Sequence, residues 1–126
     1  MALLWRWHKC RRELGVSPVE LMVLLLLTER PKYGYEITQE LKQWFSGLWI
    51  PYVGTIYHCL RRLEKKGFVK SSLEYREGGL DRRNYTITGI GTEAVRRGIE
   101  YFRKQIGLIQ HFIHLVEEYS GTQKDE

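Results

Sequence analysis

Apolar residues recur along this chain at a spacing that changes from helical to alternating and back, and the changes mark out its elements. Ser17-Pro18-Val19-Glu20 has the form of a capping box with proline at the first helical position. The helix it opens, to about Thr28, is almost wholly apolar from Leu21 to Leu27. So few polar positions predict burial nearly all round, which makes it the central core helix, and Arg30-Pro31 ends it. Lys32-Tyr33-Gly34 reads as a tight connection into a second helix, about Tyr35 to Phe45, with Ile37, Leu41 and Trp44/Phe45 on its apolar side. A loop bounded by Gly47 and Pro51 leads to a third helix beginning near Val53. There Ile56, Leu60 and Leu63 fall at i, i+4 and i+7, with Cys59 beside them. Gly54, His58, Arg61 and Lys65 lie opposite, flanked by Thr55 and Arg62 on one side and Tyr57 on the other.

Beyond Gly67 the period falls to two. Val69, Ser71, Leu73 and Tyr75 alternate with Lys70, Ser72, Glu74 and Arg76, and Tyr85 with Ile87 repeats the pattern. Between the two runs Glu77-Gly78-Gly79-Leu80-Asp81-Arg82-Arg83 reads as a glycine turn flanked by arginines, so a β-hairpin wing is predicted. Thr88 then caps a long helix reaching about Tyr119. Along it Val95, Ile99, Phe102, Ile106, Ile109, Ile113 and Val116 are separated by alternating steps of four and three, a heptad seam. A second row, Tyr101, Leu108, Phe112, Leu115 and Tyr119, widens that face. Pairing with a second copy would cover this surface; the alternative is a helix laid across its own domain.

These elements predict a mainly α fold with a small β-hairpin wing, a winged helix-turn-helix followed by a long C-terminal dimerisation helix. Residues 17–88 form the winged domain, 89–119 the last helix and 120–126 a polar tail. Residues 1–16 mix Trp5 and Trp7 with cations, and Leu3, Leu4, Trp7 and Leu14 make one apolar side. This segment reads as a helix packed on the domain, with a DNA-contacting arm or a membrane-surface helix as alternatives.

Charge sharpens the third helix. The 126 residues carry a net charge of +5, of which residues 54–70 hold +4 and residues 1–16 hold +3. A helix with one face for the core and the other small, polar and cationic suits the major groove of DNA, where donors meet bases and cations meet phosphates. By itself it also reads as a surface helix with solvated lysines and arginines. Its place as the last of three short helices, directly before a wing, favours the DNA reader.

The remaining chemistry is sparse. Cys10 and Cys59 belong to no metal-ligand or redox motif and fit a reducing cytoplasm. The run Leu21–Leu27 is too short to span a bilayer, and early cations stand where a signal peptide needs its apolar core, so a soluble intracellular protein is expected. His111 and His114 are three apart but lack further ligands at matching spacing, and Gly89-x-Gly91 lacks the βαβ setting of a dinucleotide site. No cofactor, metal or enzymatic activity is expected.

With these elements placed, the sequence resembles the PadR family of transcriptional regulators. The resemblance rests on YGYEI at Tyr33–Ile37, GTIYHCLRRLEKKGFV at Gly54–Val69, and Gly78 to Thr88 followed by Gly91. It covers about 75 residues in three motifs. It implies a dimeric winged helix-turn-helix repressor, with Thr55, Tyr57 and Arg61 as contacts of the recognition helix and Arg82 and Arg83 acting at the wing. Tyr85 would support the wing's packing. The single helix after Thr88 is similar to the family's shorter subgroup, in which it mediates dimerisation. Departures are Tyr52-Val53 where a small or acidic cap is usual, His58 where proline is common, and Asn84 in the wing. Members often respond to small aromatic ligands near the dimer interface, and Trp44, Phe45, Trp49 and Tyr52 form an aromatic cluster that could contribute to such a pocket.

The expectation is a homodimeric, sequence-specific regulator that binds double-stranded DNA at a palindromic operator. Thr55, Tyr57, His58, Arg61, Arg62, Lys65, Arg82 and Arg83 are its candidate DNA contacts. A winged-helix protein-interaction module and a non-specific architectural DNA-binding protein are the alternatives.

Overall fold

The computed structural model describes residues 9–45, 52–79 and 81–124. Residues 9–14 are helical, with Cys10 and Leu14 buried. Helix α1, Pro18–Leu27, starts where its sequence demands: Glu20 N–H donates to Ser17 Oγ at 3.2 Å, and Ser17 N–H donates to Glu20 Oε1 at 2.9 Å. Val19, Leu21, Val23, Leu24, Leu26 and Leu27 are buried, and Leu25 is the exception on the outer side. Burying each such side chain contributes roughly 1.5–3 kcal/mol. The helix packs against both helices of the helix-turn-helix and against the wing's return strand.

The segment 32–33 is more than a connection. Lys32–Tyr33 forms a short strand, β1, that joins the sheet and hands directly into helix α2, Gly34–Trp44. Glu36 secures that start by accepting from the Tyr33 N–H at 3.1 Å and pairing with Arg30 at 2.6 Å. The Arg30 guanidinium accordingly holds the Glu36 carboxyl below its ordinary range. Helix α3 is Val53–Lys65, and the hairpin strands are β2, Val69–Glu74, and β3, Arg82–Ile87. The antiparallel sheet runs β1-β3-β2, with Lys32 opposite Tyr85 and Val69 opposite Ile87.

Two expectations about the wing need correction. The strand ends at Glu74, leaving Tyr75 outside it, and Arg82 and Arg83 are the first residues of β3 rather than part of the turn. Only the base of the hairpin reaches the core: Val69 and Tyr85 are buried, whereas Leu73, nearer the turn, is exposed.

Lys32 carries the fold's least expected burial. Its side chain is fully enclosed, and its Nζ lies 2.6 Å from both Glu29 Oε2 and Glu40 Oε2. Burial works against its charge, but the two carboxylates prevail and hold its pKa above the ordinary lysine value. Both carboxylates are partly exposed and can rehydrate, so Lys32→Met should cost about 1–3 kcal/mol, below the figure for a fully buried pair. Urea unfolding measures this. Lys32 also lowers the Glu29 pKa. That contribution is complete above the ordinary carboxylate range and is lost as pH falls through the lowered value, so the variant should show less acid sensitivity.

Helix α4 is Gly89–Lys124, so residues 120–124 of the expected tail continue the helix. Thr88 caps it, its Oγ1 accepting from Gly91 N–H at 3.2 Å while its hydroxyl donates toward the Gly67 carbonyl at 2.7 Å. Gly91 is required there, since a Cβ would lie 2.2 Å from the Phe68 carbonyl oxygen. Two compact units divide the chain, Met1–Val95 and Arg96–Glu126. Val95, the first position of the seam, is buried in the first unit. In the second, Ile99, Ile106, Ile109, Ile113 and Val116 are exposed and Phe102 is half-buried, stacked edge-on with Tyr101. No described helix is long and apolar enough to cross a membrane.

Candidate nucleic-acid interface

Helix α3 is two-sided as its pattern requires. Ile56, Cys59, Leu60 and Leu63 are buried, and Gly54, Thr55, His58, Arg61 and Lys65 are exposed. Burial pushes the Cys59 thiol up to about 11, which keeps it protonated and inert. No side chain caps the start of the helix; the Thr55 and Ile56 amides bond to the Tyr52 carbonyl instead. Its end is a Schellman turn, with Phe68 N–H donating to the Leu63 carbonyl at 2.9 Å and Gly67 N–H to Glu64 at 3.0 Å. Gly67 adopts φ +86°, and so turns the chain sharply into the wing.

The cations of α3 are not equivalent. His58, Arg61 and Lys65 face outward, and Arg62 borders the groove they line. Arg62 is drawn inward, its Nε 3.3 Å from Glu20 Oε2 and its side chain 29 % exposed. Arg61 also lines a second cleft of about 490 Å³ between α3 and the wing, shared with Tyr35, Tyr57 and Arg83. Tyr57 packs closely on the start of α2: a Cβ on Gly34 would lie 2.6 Å from its ring. The glycine of the YGYEI motif therefore admits a ring from α3.

The wing arginines also separate. Arg82 stacks over the Tyr33 ring, 4.7 Å from its centroid, while the Tyr33 hydroxyl donates to Glu74, the residue opposite Arg82 in the sheet. Arg83 is exposed on the other face and donates to Ser71 Oγ at 3.2 Å, and the Ser71 hydroxyl donates to Glu64 at 2.6 Å. Arg82 is thus held against Tyr33 at the turn end of the strand pair, and Arg83 lies beside α3. Pattern reasoning placed Tyr33 and Tyr35 only in a loop and a helix start. The YGYEI motif was the signal that they stand at this cleft.

Of the aromatic cluster, Trp44 and Tyr52 are exposed and Phe45 is half-buried, while Trp49 lies outside the described residues. None of them lines the two clefts just described. His111 and His114 are exposed, and among the described residues no group of three or more His, Cys, Asp or Glu could hold a metal ion.

The model of the transcriptional regulator PadR-like family matches residues 23–97, from within α1 through the wing and into α4. The chain belongs to the PadR-like family of transcriptional regulators. Its members are regulators rather than enzymes. A transcriptional regulator from Clostridium thermocellum matches with TM-score 0.68 and 30 % identity, covering 75 % of this chain and 88 % of that one. The structure of Bacillus subtilis PadR in complex with operator DNA matches with TM-score 0.59 and 25 % identity, over 64 % of this chain and 46 % of that one. An uncharacterized protein of Lysinibacillus sphaericus is 33 % identical over 70 residues, and this chain spans 64 % of its length.

Proposed function

We propose that this PadR-like regulator binds double-stranded DNA as a homodimer, represses transcription, and reads a palindromic operator by setting α3 into the major groove. The observation that carries the reading is the outward placement of His58, Arg61 and Lys65 on a helix whose other face is sealed into the core. The operator complex of the Bacillus subtilis neighbour supports it, since the alignable part of that protein shares this fold. Thr55 and Tyr57 would meet bases or sugar edges near the start of the helix. Lys65 and Arg83 would meet phosphates on either side. The exposed seam residues Ile99, Ile106, Ile109, Ile113 and Val116, with Phe102, would zip two copies so that the two recognition helices address successive half-sites. A small aromatic ligand held near Trp44, Phe45, Trp49 and Tyr52 would modulate this binding.

Selection of bound sequences from a random DNA pool tests the reading. It should yield a palindrome, and affinity for that duplex should fall steeply with salt, with log affinity falling by about 0.9 for each phosphate contact per unit of log salt. Recovery of unrelated sequences with equal affinity would point to non-specific coating of DNA. A second test concerns Tyr57. Gly34→Ala should push the Tyr57 ring aside and weaken binding several-fold, with a stability loss of at most about 1 kcal/mol because Gly34 has ordinary helical geometry. Anisotropy titrations beside thermal melts separate the two effects.

A further inference from the structure

Arg62 stands apart from the other cations of α3 because its partner is buried. Glu20, at the third position of α1, is 1 % exposed. Its Oε1 accepts from Ser17 N–H at 2.9 Å and lies 3.7 Å from Arg11 Nη2, and its Oε2 lies 3.3 Å from Arg62 Nε. Neither Glu20 Oε2 nor Arg62 Nε has a hydrogen-bond partner among the described residues, so the pairing is one of charge alone. One carboxylate therefore ties together the helical residues 9–14, the cap of α1 and the recognition helix.

We propose that Arg62 is a positioning residue for DNA recognition: through Glu20 it sets the rotation of α3 on α1, and it does not neutralise a phosphate. If the guanidinium swung out to DNA, the buried Glu20 would keep only the Ser17 N–H and, as a charged partner, the more distant Arg11. Leaving a buried carboxylate poorly paired costs more than an exposed ionic contact returns. Arg61 precedes Arg62 by one residue, about 100° around the helix. A small rotation about the Glu20 anchor therefore carries Arg61 and Lys65 away from bases and phosphates. Arg11 shares the same anchor, so the N-terminal helical residues influence affinity without touching DNA.

The proposal rests on the DNA-binding reading. The test uses the full chain and a duplex selected by the parent protein, comparing Arg62→Met, Glu20→Gln, their combination and Lys65→Met. Gln keeps the oxygen that accepts from Ser17 N–H, so the capping box survives. Arg62→Met should lower affinity several-fold and the melting temperature by about 4–8 °C, with the salt slope unchanged. Lys65→Met should reduce that slope by about 0.9 for each phosphate that Lys65 neutralises, with the melting temperature unmoved. Glu20→Gln, which cannot reach DNA, should reproduce the Arg62→Met loss of affinity, and the combination should be no worse than the more damaging single change. A reduced slope for Arg62→Met with an unchanged melting temperature would overturn the proposal, as would additive losses. If Arg62→Met does not fold, Glu20→Gln alone decides: lowered affinity at constant slope supports the proposal, and parental affinity overturns it. A parent protein with no salt-sensitive duplex binding would overturn the DNA reading and the proposal together. Intact binding with additive losses overturns the proposal alone.

Discussion

Arg61→Ala weakens binding to a selected duplex by about 1–3 kcal/mol, roughly 5- to 150-fold, and relaxes preference at one base position in each half-site. The expectation follows from where the residue stands. Arg61 is exposed on α3 opposite Leu60 and Leu63, and it borders both the groove with His58 and Lys65 and the cleft with the wing. A guanidinium there can present two parallel donors to one base edge, which lysine cannot. If Arg61 meets only phosphate, the loss is smaller and the same on every sequence. Competition binding with single-base variants of the operator separates these outcomes. A variant that keeps parental affinity on all of them removes α3 from the recognition role.

Ile106→Glu combined with Ile113→Glu should convert the protein to monomers and lower operator affinity by about 100- to 10,000-fold. The two isoleucines are one heptad apart on the seam, and both are about half exposed within a single chain. Burying glutamates opposite each other in a paired seam is strongly unfavourable, whereas the lone subunit is little affected. The large drop in affinity arises because two linked half-site contacts become two separate ones. Sedimentation equilibrium reads the oligomeric state, circular dichroism checks that α4 persists, and anisotropy reads binding. A parent protein that is monomeric at micromolar concentration, or a variant that still dimerises, would show that the seam is not the interface. Val95 is unsuited to this experiment because its burial in the first unit makes it part of the chain's own core.

The helices, the wing and the two-sided character of α3 were legible without coordinates, and the family model and its structural neighbours agree with that fold. Helical and strand periods are carried by residues two to four apart, so adjacent sequence suffices to reveal them. Ser17 and Glu20, Ile56, Leu60 and Leu63, and the switch of period after Gly67 are cases of this kind. The end of α4 was misread because SGTQK carries no apolar period, although a polar helix can continue one already begun.

Pairings between distant residues needed the folded chain. A side chain's charge is visible in the sequence, but its partner depends on how separate elements meet. Lys32 looked like a loop cation and proved to be enclosed between Glu29 and Glu40. Arg82 and Arg83 looked equivalent, until the alternation of β3 sent one onto Tyr33 and the other toward Ser71. Arg61 and Arg62 looked like neighbours on one cationic face. The geometry of a helix turns them apart, and the buried Glu20, 42 positions earlier, engages only the second. Periodicity determined which residues face out; long-range electrostatics determined which of those remain available to a partner.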